Sequence, residues 1–404
     1  MTTHLITTLE EWLPDMARIR RDIHAWPELS FQETRTANTI ARLLESWGIA
    51  VSRGLGETGL VGRIDGRQPG RSIGLRADMD ALPMPEANTF AHASRNPGAM
   101  HACGHDGHIT MLLAAARYLA QARDFSGTVY VIFQPAEEGG AGALRMIQDG
   151  LFEDFSMDAV FGMHNWPGIP VGSFGLTAGP IMASSSTFEV ILKGRGAHGA
   201  MPHLGVDPVV AAAQLILGYQ TILTRDQDPL EAGVISVTQL RAGSADNVIP
   251  DSATLRGTVR ALTDEALDLI EARMRELTQH LAQALRCEPT FTFLREYPAT
   301  INHPAEAELC AQVLCDLVGA DRVNTQVRPS MGAEDFAFML QQRPGCYIWI
   351  GNGMGDHRSG GHGPGPCMLH NSSYDFNDAL IPLGAAYWVS LSHRFLREPP
   401  GPAR

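Results

Sequence analysis

Eight residues, His101-Ala-Cys-Gly-His-Asp-Gly-His108, bring together three histidines and a cysteine. Thiolate sulfur and imidazole nitrogen two residues apart suit zinc or a similar divalent ion. Metal-assisted hydrolysis also needs further ligands, a base and an open coordination position. Candidates recur along the chain at Asp78 and Asp80, at the pair Glu137-Glu138, at His164 and at His370. Adjacent carboxylates such as Glu137 and Glu138 can divide the work: one binds a cation while its neighbour faces water and carries a proton. Read singly, each residue has a plainer use. A cysteine can be a small buried hydrophobe, Glu-Glu a solvated loop, a histidine a core residue, and Asp78 and Asp80 turn caps. His101 and His108 flank the cluster as support for a ligand or a helix start.

What argues for a site is where these residues fall. Asp78 and Asp80 follow a short strand at Ser72–Leu75, and Glu137-Glu138 follow the apolar run Val129–Phe133. His164 follows Ala159–Met163, and His370 lies beyond Cys346–Ile350 and a Gly-, Pro- and His-rich loop. Continuous apolar β-type runs suit buried parallel strands. In open α/β sheets, ligands bind just beyond the strand ends. Helices are expected over residues 31–47, from the capping box Ser30…Glu33 and the stop at Gly48, and over Ile109–Ala122. The middle of the chain changes character. A strand at Thr187–Leu192, a helix at Asp207–Leu223 and strands at Gly233–Leu240 and Ala253–Leu262 come first. A long helix at Asp264–Leu285 capped by Thr263, then a strand at Thr290–Leu294, complete the β-α-β-β-α-β order of a ferredoxin-like domain. The fold expected is α/β. A catalytic domain with a mixed, mainly parallel sheet (1–184 and 298–404) carries an inserted ferredoxin-like lid and dimerisation domain (185–297).

The bulk numbers bound the function. A chain of 404 residues is too long for one ordinary core. Its net charge of −13 argues against nucleic acid or anionic membranes as partners. No secretion signal and no apolar run long enough to span a bilayer is visible. Six scattered cysteines do not form a disulfide scaffold, so a cytoplasmic location is expected. The tail from Glu398 to Arg404 is expected to lack order.

Taken together, these motifs resemble the metallopeptidase family that includes aminoacylases, carboxypeptidase G, succinyl-diaminopimelate desuccinylase and hippurate hydrolases. The likeness runs through His24–Glu28, Gly74–Pro83, Met100–His108, Phe133–Gly140, Gly162–Asn165, Gly194–Pro202, Asn247–Pro250, Gly332–Phe336 and Leu369–Asn371. It is nearest to the amidohydrolase branch of hippurate and indole-acetyl-amino-acid hydrolases. The resemblance implies two divalent metal ions per subunit, zinc or manganese, with cobalt or nickel as alternatives. It implies Cys103 as the residue bridging both ions, His105 and His164 completing one site, and Glu138 and His370 the other. Glu137 would be the general base and Asp80 the orienting aspartate. Asp78 stands where many relatives carry a histidine ligand, and His105 would substitute for it. His198, projected from the lid, would serve as oxyanion donor in the partner subunit's site, with Asn247 and Arg260 holding the substrate carboxylate. The implied activity is hydrolysis of the amide bond of a small-molecule N-acyl amino acid by a homodimer or higher homo-oligomer joined through the lid. A dipeptidase or aminopeptidase of the same family is the nearest alternative. A cysteine-nucleophile hydrolase built on Cys103 and a non-catalytic binding protein are alternatives of other classes.

Overall fold

A computed structural model describes residues 2–355 and 365–397. The tail 398–404 and the middle of the Gly-rich loop, 356–364, lie outside the described residues. The chain divides into two compact units: residues 1–179, 301–328 and 338–404, and residues 180–300 with 329–337.

The first unit is built on an eight-stranded sheet in the order Ala50–Leu55, Gly59–Asp65, Ser126–Gln134, Gln68–Asp78, Ala159–Pro167, Gly345–Gly353, Phe174–Gly175, Val323–Asn324. Its centre is parallel: Gln68–Asp78 pairs with both Ser126–Gln134 and Ala159–Pro167, which pairs in turn with Gly345–Gly353. One edge is an antiparallel hairpin. The sheet is therefore mixed and mainly parallel. The central strands are apolar because both faces are covered. Gly345–Gly353 is buried along its whole length, and Ile73, Leu75, Val131, Phe133, Phe161 and Ile348 join one core with Leu112, Leu119, Trp388 and Phe395 of the helices His105–Ala122 and Leu380–Arg397.

The second unit has four antiparallel strands in the spatial order Gly233–Ala242, Ser252–Ala261, Ser185–Lys193, Glu288–Tyr297. Numbered along the chain, that is second, third, first, fourth, the ferredoxin-like arrangement. The helices Pro208–Thr221 and Asp264–Ala284 supply Ala212, Leu215, Ile270 and Met274 to its core. Both start at side-chain caps: Asp207 accepts from the main-chain N–H groups of Val209 and Val210, and Thr263 from that of Ala266.

One expected device is absent. The helix after Ser30 spans Thr34–Ser46 and its cap residue Glu33 makes no side-chain cap bond. Ser30 instead donates to Asp80 (2.8 Å), and the Glu33 carboxylate accepts from Ala136 N (2.9 Å) and Thr58 Oγ1 (2.6 Å). Both side chains of the apparent capping box are taken up by the loops around the candidate site. Gly48 does end the segment with a positive φ of 71°.

Candidate metal centre

The parallel strands bring their carboxyl ends to one place, and the ligand candidates follow. Cys103 and Gly104 immediately precede the helix His105–Ala122, which starts earlier than its composition suggests and so places His105 in its first turn. His164 sits within the strand Ala159–Pro167 rather than beyond it. Glu137 and Glu138 lie in the turn after Ser126–Gln134, and His370 follows Met368 and Leu369 in the segment after the Gly-rich loop. Ligand atoms of Cys103, His105 and His164 lie within 4.8 Å of one another, as do those of Cys103, Glu138 and His370, and those of His105, Glu137 and Glu138. Cys103 Sγ is 3.3 Å from His164 Nε2, and His370 Nε2 is 3.2 Å from Glu138 Oε1.

Hydrogen bonds on the far side of each ring set the tautomers. His105 Nδ1 is 2.9 Å from the main-chain oxygen of Asp80, and His164 Nδ1 is 2.7 Å from that of Asn165. A carbonyl oxygen only accepts, so both Nδ1 atoms donate, and in the neutral ring it is Nε2 that carries the lone pair. His105 Nε2 is buried and makes no hydrogen bond. A lone pair buried in a nest of thiol and carboxylates is costly unless something positive meets it. The donor set, two imidazoles and a thiol against one carboxylate and a further imidazole, fits a pair of divalent ions.

Charge around the cluster points the same way. Burial alone would discharge His105, but the Asp78 and Asp80 carboxylates hold its pKa up to about 10. Carboxylates that favour a proton there favour a cation equally. Burial, with Glu138, Glu137 and Asp78 nearby, pushes the Cys103 thiol well above its usual range. A coordinated cation reverses that, because it deprotonates the thiol it binds. Burial and the neighbouring His108 push His164 well below the usual histidine value, which keeps its ring neutral.

Asp80 lies beneath the cluster. Its Oδ1 accepts from Glu137 N (3.0 Å) and its Oδ2 from Glu138 N (2.9 Å) as well as from Ser30. It thus orients the turn that carries both glutamates. Asp78 is engaged elsewhere: Arg76 Nη1 donates to Oδ2 (2.7 Å) and His108 Nδ1 lies 2.6 Å from Oδ1, while His105 Nε2 stands 3.6 Å from Oδ2. His101 is buried without a hydrogen bond on either ring nitrogen. His24 is buried between Asp106 (2.9 Å) and Glu86 (3.2 Å).

The remaining candidates belong to the second unit. His198 pairs with Val248 on a two-stranded ribbon, and Gly199 N donates to Asn247 O (2.7 Å), so His198 and Asn247 are neighbours on one exposed feature. Arg260 is half-buried on the strand Ser252–Ala261, where its guanidinium donates to Val259 O (2.9 Å) and to the Thr258 hydroxyl. Arg76, Asn165 and Tyr374, none of them a candidate from the sequence, lock the cluster from behind. The signal available for Asn165 was its place directly after His164.

The sequence matches the profile of peptidase family M20/M25/M40 over residues 74–393. It is 39% identical to a hippurate hydrolase of Campylobacter jejuni, with 98% of this chain and 100% of that protein covered. It is 36% identical to an N-acetylcysteine deacetylase of Bacillus subtilis, over 93% of this chain and 96% of the relative. The crystal structure of a Bacillus subtilis protein described as a dinuclear metal binding peptidase of the M20 family superposes with a TM-score of 0.83 at 33% identity, covering 96% of this chain and 99% of that one. A cluster of candidate metal ligands at the strand ends, on a fold shared with such a structure and under a profile match that spans most of the sequence, makes this chain a member of peptidase family M20/M25/M40.

Proposed function

We propose that this protein hydrolyses the amide bond of N-acyl amino acids, with Cys103, His105 and His164 holding one divalent ion and Cys103, Glu138 and His370 the second. The observation that carries the reading is the convergence of these side chains, with the Glu137 carboxylate beside His105 and Glu138. Relatives named for cleavage of hippurate and of N-acetylcysteine share the chain nearly end to end, which supports an acyl group on an amino acid as the substrate class. Divalent ions bound there supply Lewis-acid polarisation of the amide carbonyl and lower the pKa of water. Glu137 takes the proton of the attacking water and returns it to the leaving nitrogen. Asp80 holds Glu137 in place through its main-chain N–H. Zinc suits the thiolate, manganese the carboxylate and imidazoles, and cobalt or nickel the same donors. His198 is the proposed oxyanion donor and Asn247 with Arg260 the proposed grip on the substrate carboxylate. The inserted domain 185–297 is the proposed dimerisation unit. A cytoplasmic location is proposed from six scattered cysteines that do not make a disulfide scaffold.

A cysteine-nucleophile mechanism fits poorly. Cys103 and His164 are in contact, but burial pushes the thiol up and the imidazole down. That favours a neutral pair, the opposite of the thiolate and imidazolium such enzymes use.

The test is a panel of N-acetyl, N-benzoyl and indole-acetyl amino acids alongside dipeptides. Turnover of N-acyl substrates that stops on chelation and returns with zinc, manganese or cobalt is the expected result. Cleavage of dipeptides alone would move the protein to the dipeptidases, and chelator-resistant turnover would remove the metal mechanism.

A further inference from the structure

Beneath the ligand cluster runs an unbroken chain of buried polar side chains. Arg76 donates through Nε to Gln134 Oε1 (2.8 Å) and through Nη1 to Asp78 Oδ2 (2.7 Å). Asp78 Oδ1 meets His108 Nδ1 at 2.6 Å, and His108 Nε2 meets Asn165 Oδ1 at 2.6 Å. Asn165 Nδ2 then donates to the Tyr374 hydroxyl. All six residues are buried. None of Asn165, His108 and Tyr374 is among the proposed ligands, yet each sits next to one. Asn165 follows His164 and fixes its tautomer through its main-chain oxygen. His108 is one helical turn after His105. Tyr374 lies four residues past His370.

The closing link also presses on the loop that carries the thiol. Gly104, between Cys103 and His105, has φ +93°, and a Cβ built there would come within 2.3 Å of Asn165 Oδ1 and 2.8 Å of the Tyr374 hydroxyl. The Asn165–Tyr374 pair therefore packs directly on the main chain from which two ligands project. The neighbouring Asp375 extends the hold. Arg20 donates to Asp375 (2.7 Å) and, through the same nitrogen, to Asp106 (3.2 Å), the residue after His105.

We propose that Tyr374 is a positioning residue for the metal centre, its hydroxyl closing a buried chain with Asn165 and His108 that holds Cys103, His105 and His164 in register. Segment 374–375 ties the stretch bearing His370 to the strand bearing His164 and to the helix start bearing His105. Removing the hydroxyl leaves Asn165 Nδ2 without its partner and frees the side chain that supports Gly104. Supporting hydrogen bonds behind metal ligands typically change metal affinity about 10- to 100-fold.

This inference rests on the ligand assignment proposed above, and one experiment separates the two. Metal-stripped full-length protein is titrated with Co²⁺, and thiolate-to-cobalt charge-transfer absorption is followed for wild type, Tyr374→Phe and Tyr387→Phe. Tyr387 is an equally buried tyrosine whose hydroxyl donates to Cys310 Sγ (3.2 Å), a cysteine outside the proposed ligand set. The expected result is a thiolate band in all three, with Co²⁺ held about 10- to 100-fold more weakly by Tyr374→Phe than by Tyr387→Phe. Gly104→Ala, which drives a methyl into the same pair, should weaken cobalt binding in the same direction. Equal cobalt affinity and identical spectra in the two tyrosine variants would overturn the positioning role, and so would an equal loss in both. No thiolate band in the wild type would overturn the ligand assignment instead.

Discussion

Two imidazole lone pairs define the centre at the scale of single residues. His105 and His164 each spend Nδ1–H on a main-chain oxygen, so each presents Nε2 to the thiol-lined hollow. His24 shows the opposite use of a histidine. Burial alone would leave it neutral, but Asp106 and Glu86 hold its pKa up to about 9. A histidine that keeps its proton in the folded state and loses it near pH 6.5 when unfolded stabilises the fold fully below that value. The contribution fades as pH rises through about 9. The shift corresponds to about 3 kcal/mol at full strength. Urea unfolding of the wild type should therefore show stability falling between pH 6.5 and 9.5. His24→Gln should start lower by a few kcal/mol and show a flatter profile over that window. Identical slopes in the two proteins would remove His24 as the cause. Cys103 and His105 were open to reading as candidate ligands from their spacing, because ligand type is a local property. The tautomer of His105 was not, because the oxygen that sets it belongs to Asp80, 25 residues away along the chain.

At the scale of elements, the site is made by strand ends and by what orients the turns after them. The turn at Glu137-Glu138 is held by Asp80, which accepts from both main-chain N–H groups, and from below by Glu33 on Ala136 N. Asp80→Ala should leave the sheet intact but release both glutamates. Metal affinity and kcat are each expected to fall about 10- to 100-fold, with far-UV circular dichroism unchanged. A variant with wild-type metal content and kcat would show that the turn holds itself. The apolar strands were legible in the sequence because both faces are buried along most of Ser126–Gln134 and Ala159–Pro167, leaving the apolar runs Val129–Phe133 and Ala159–Met163. The ferredoxin-like order was legible from alternating strands and the Thr263 cap. The helix start was not. Ser30 and Glu33 look like a capping box locally, but their partners Asp80 and Ala136 lie 50 and 103 residues away. Nor was the early start of His105–Ala122, whose first turn is polar because it serves the site rather than the core.

At the scale of the whole molecule, a net charge of −13 makes the overall field unhelpful to an anionic substrate. Capture of a carboxylate then rests on local groups, the part proposed for Arg260 with Asn247. Among the described residues no helix is long and apolar enough to cross a membrane. The central claim is that amide hydrolysis depends on bound metal and on Glu137 as the group that carries the proton. It is tested most directly by measuring, on one preparation of Glu137→Gln, both bound metal per chain and turnover of an N-acyl amino acid cleaved by the wild type. The account predicts metal content equal to that of the wild type and turnover lower by about 10²- to 10⁴-fold, the usual contribution of a positioned general base. Wild-type turnover in that variant would contradict it.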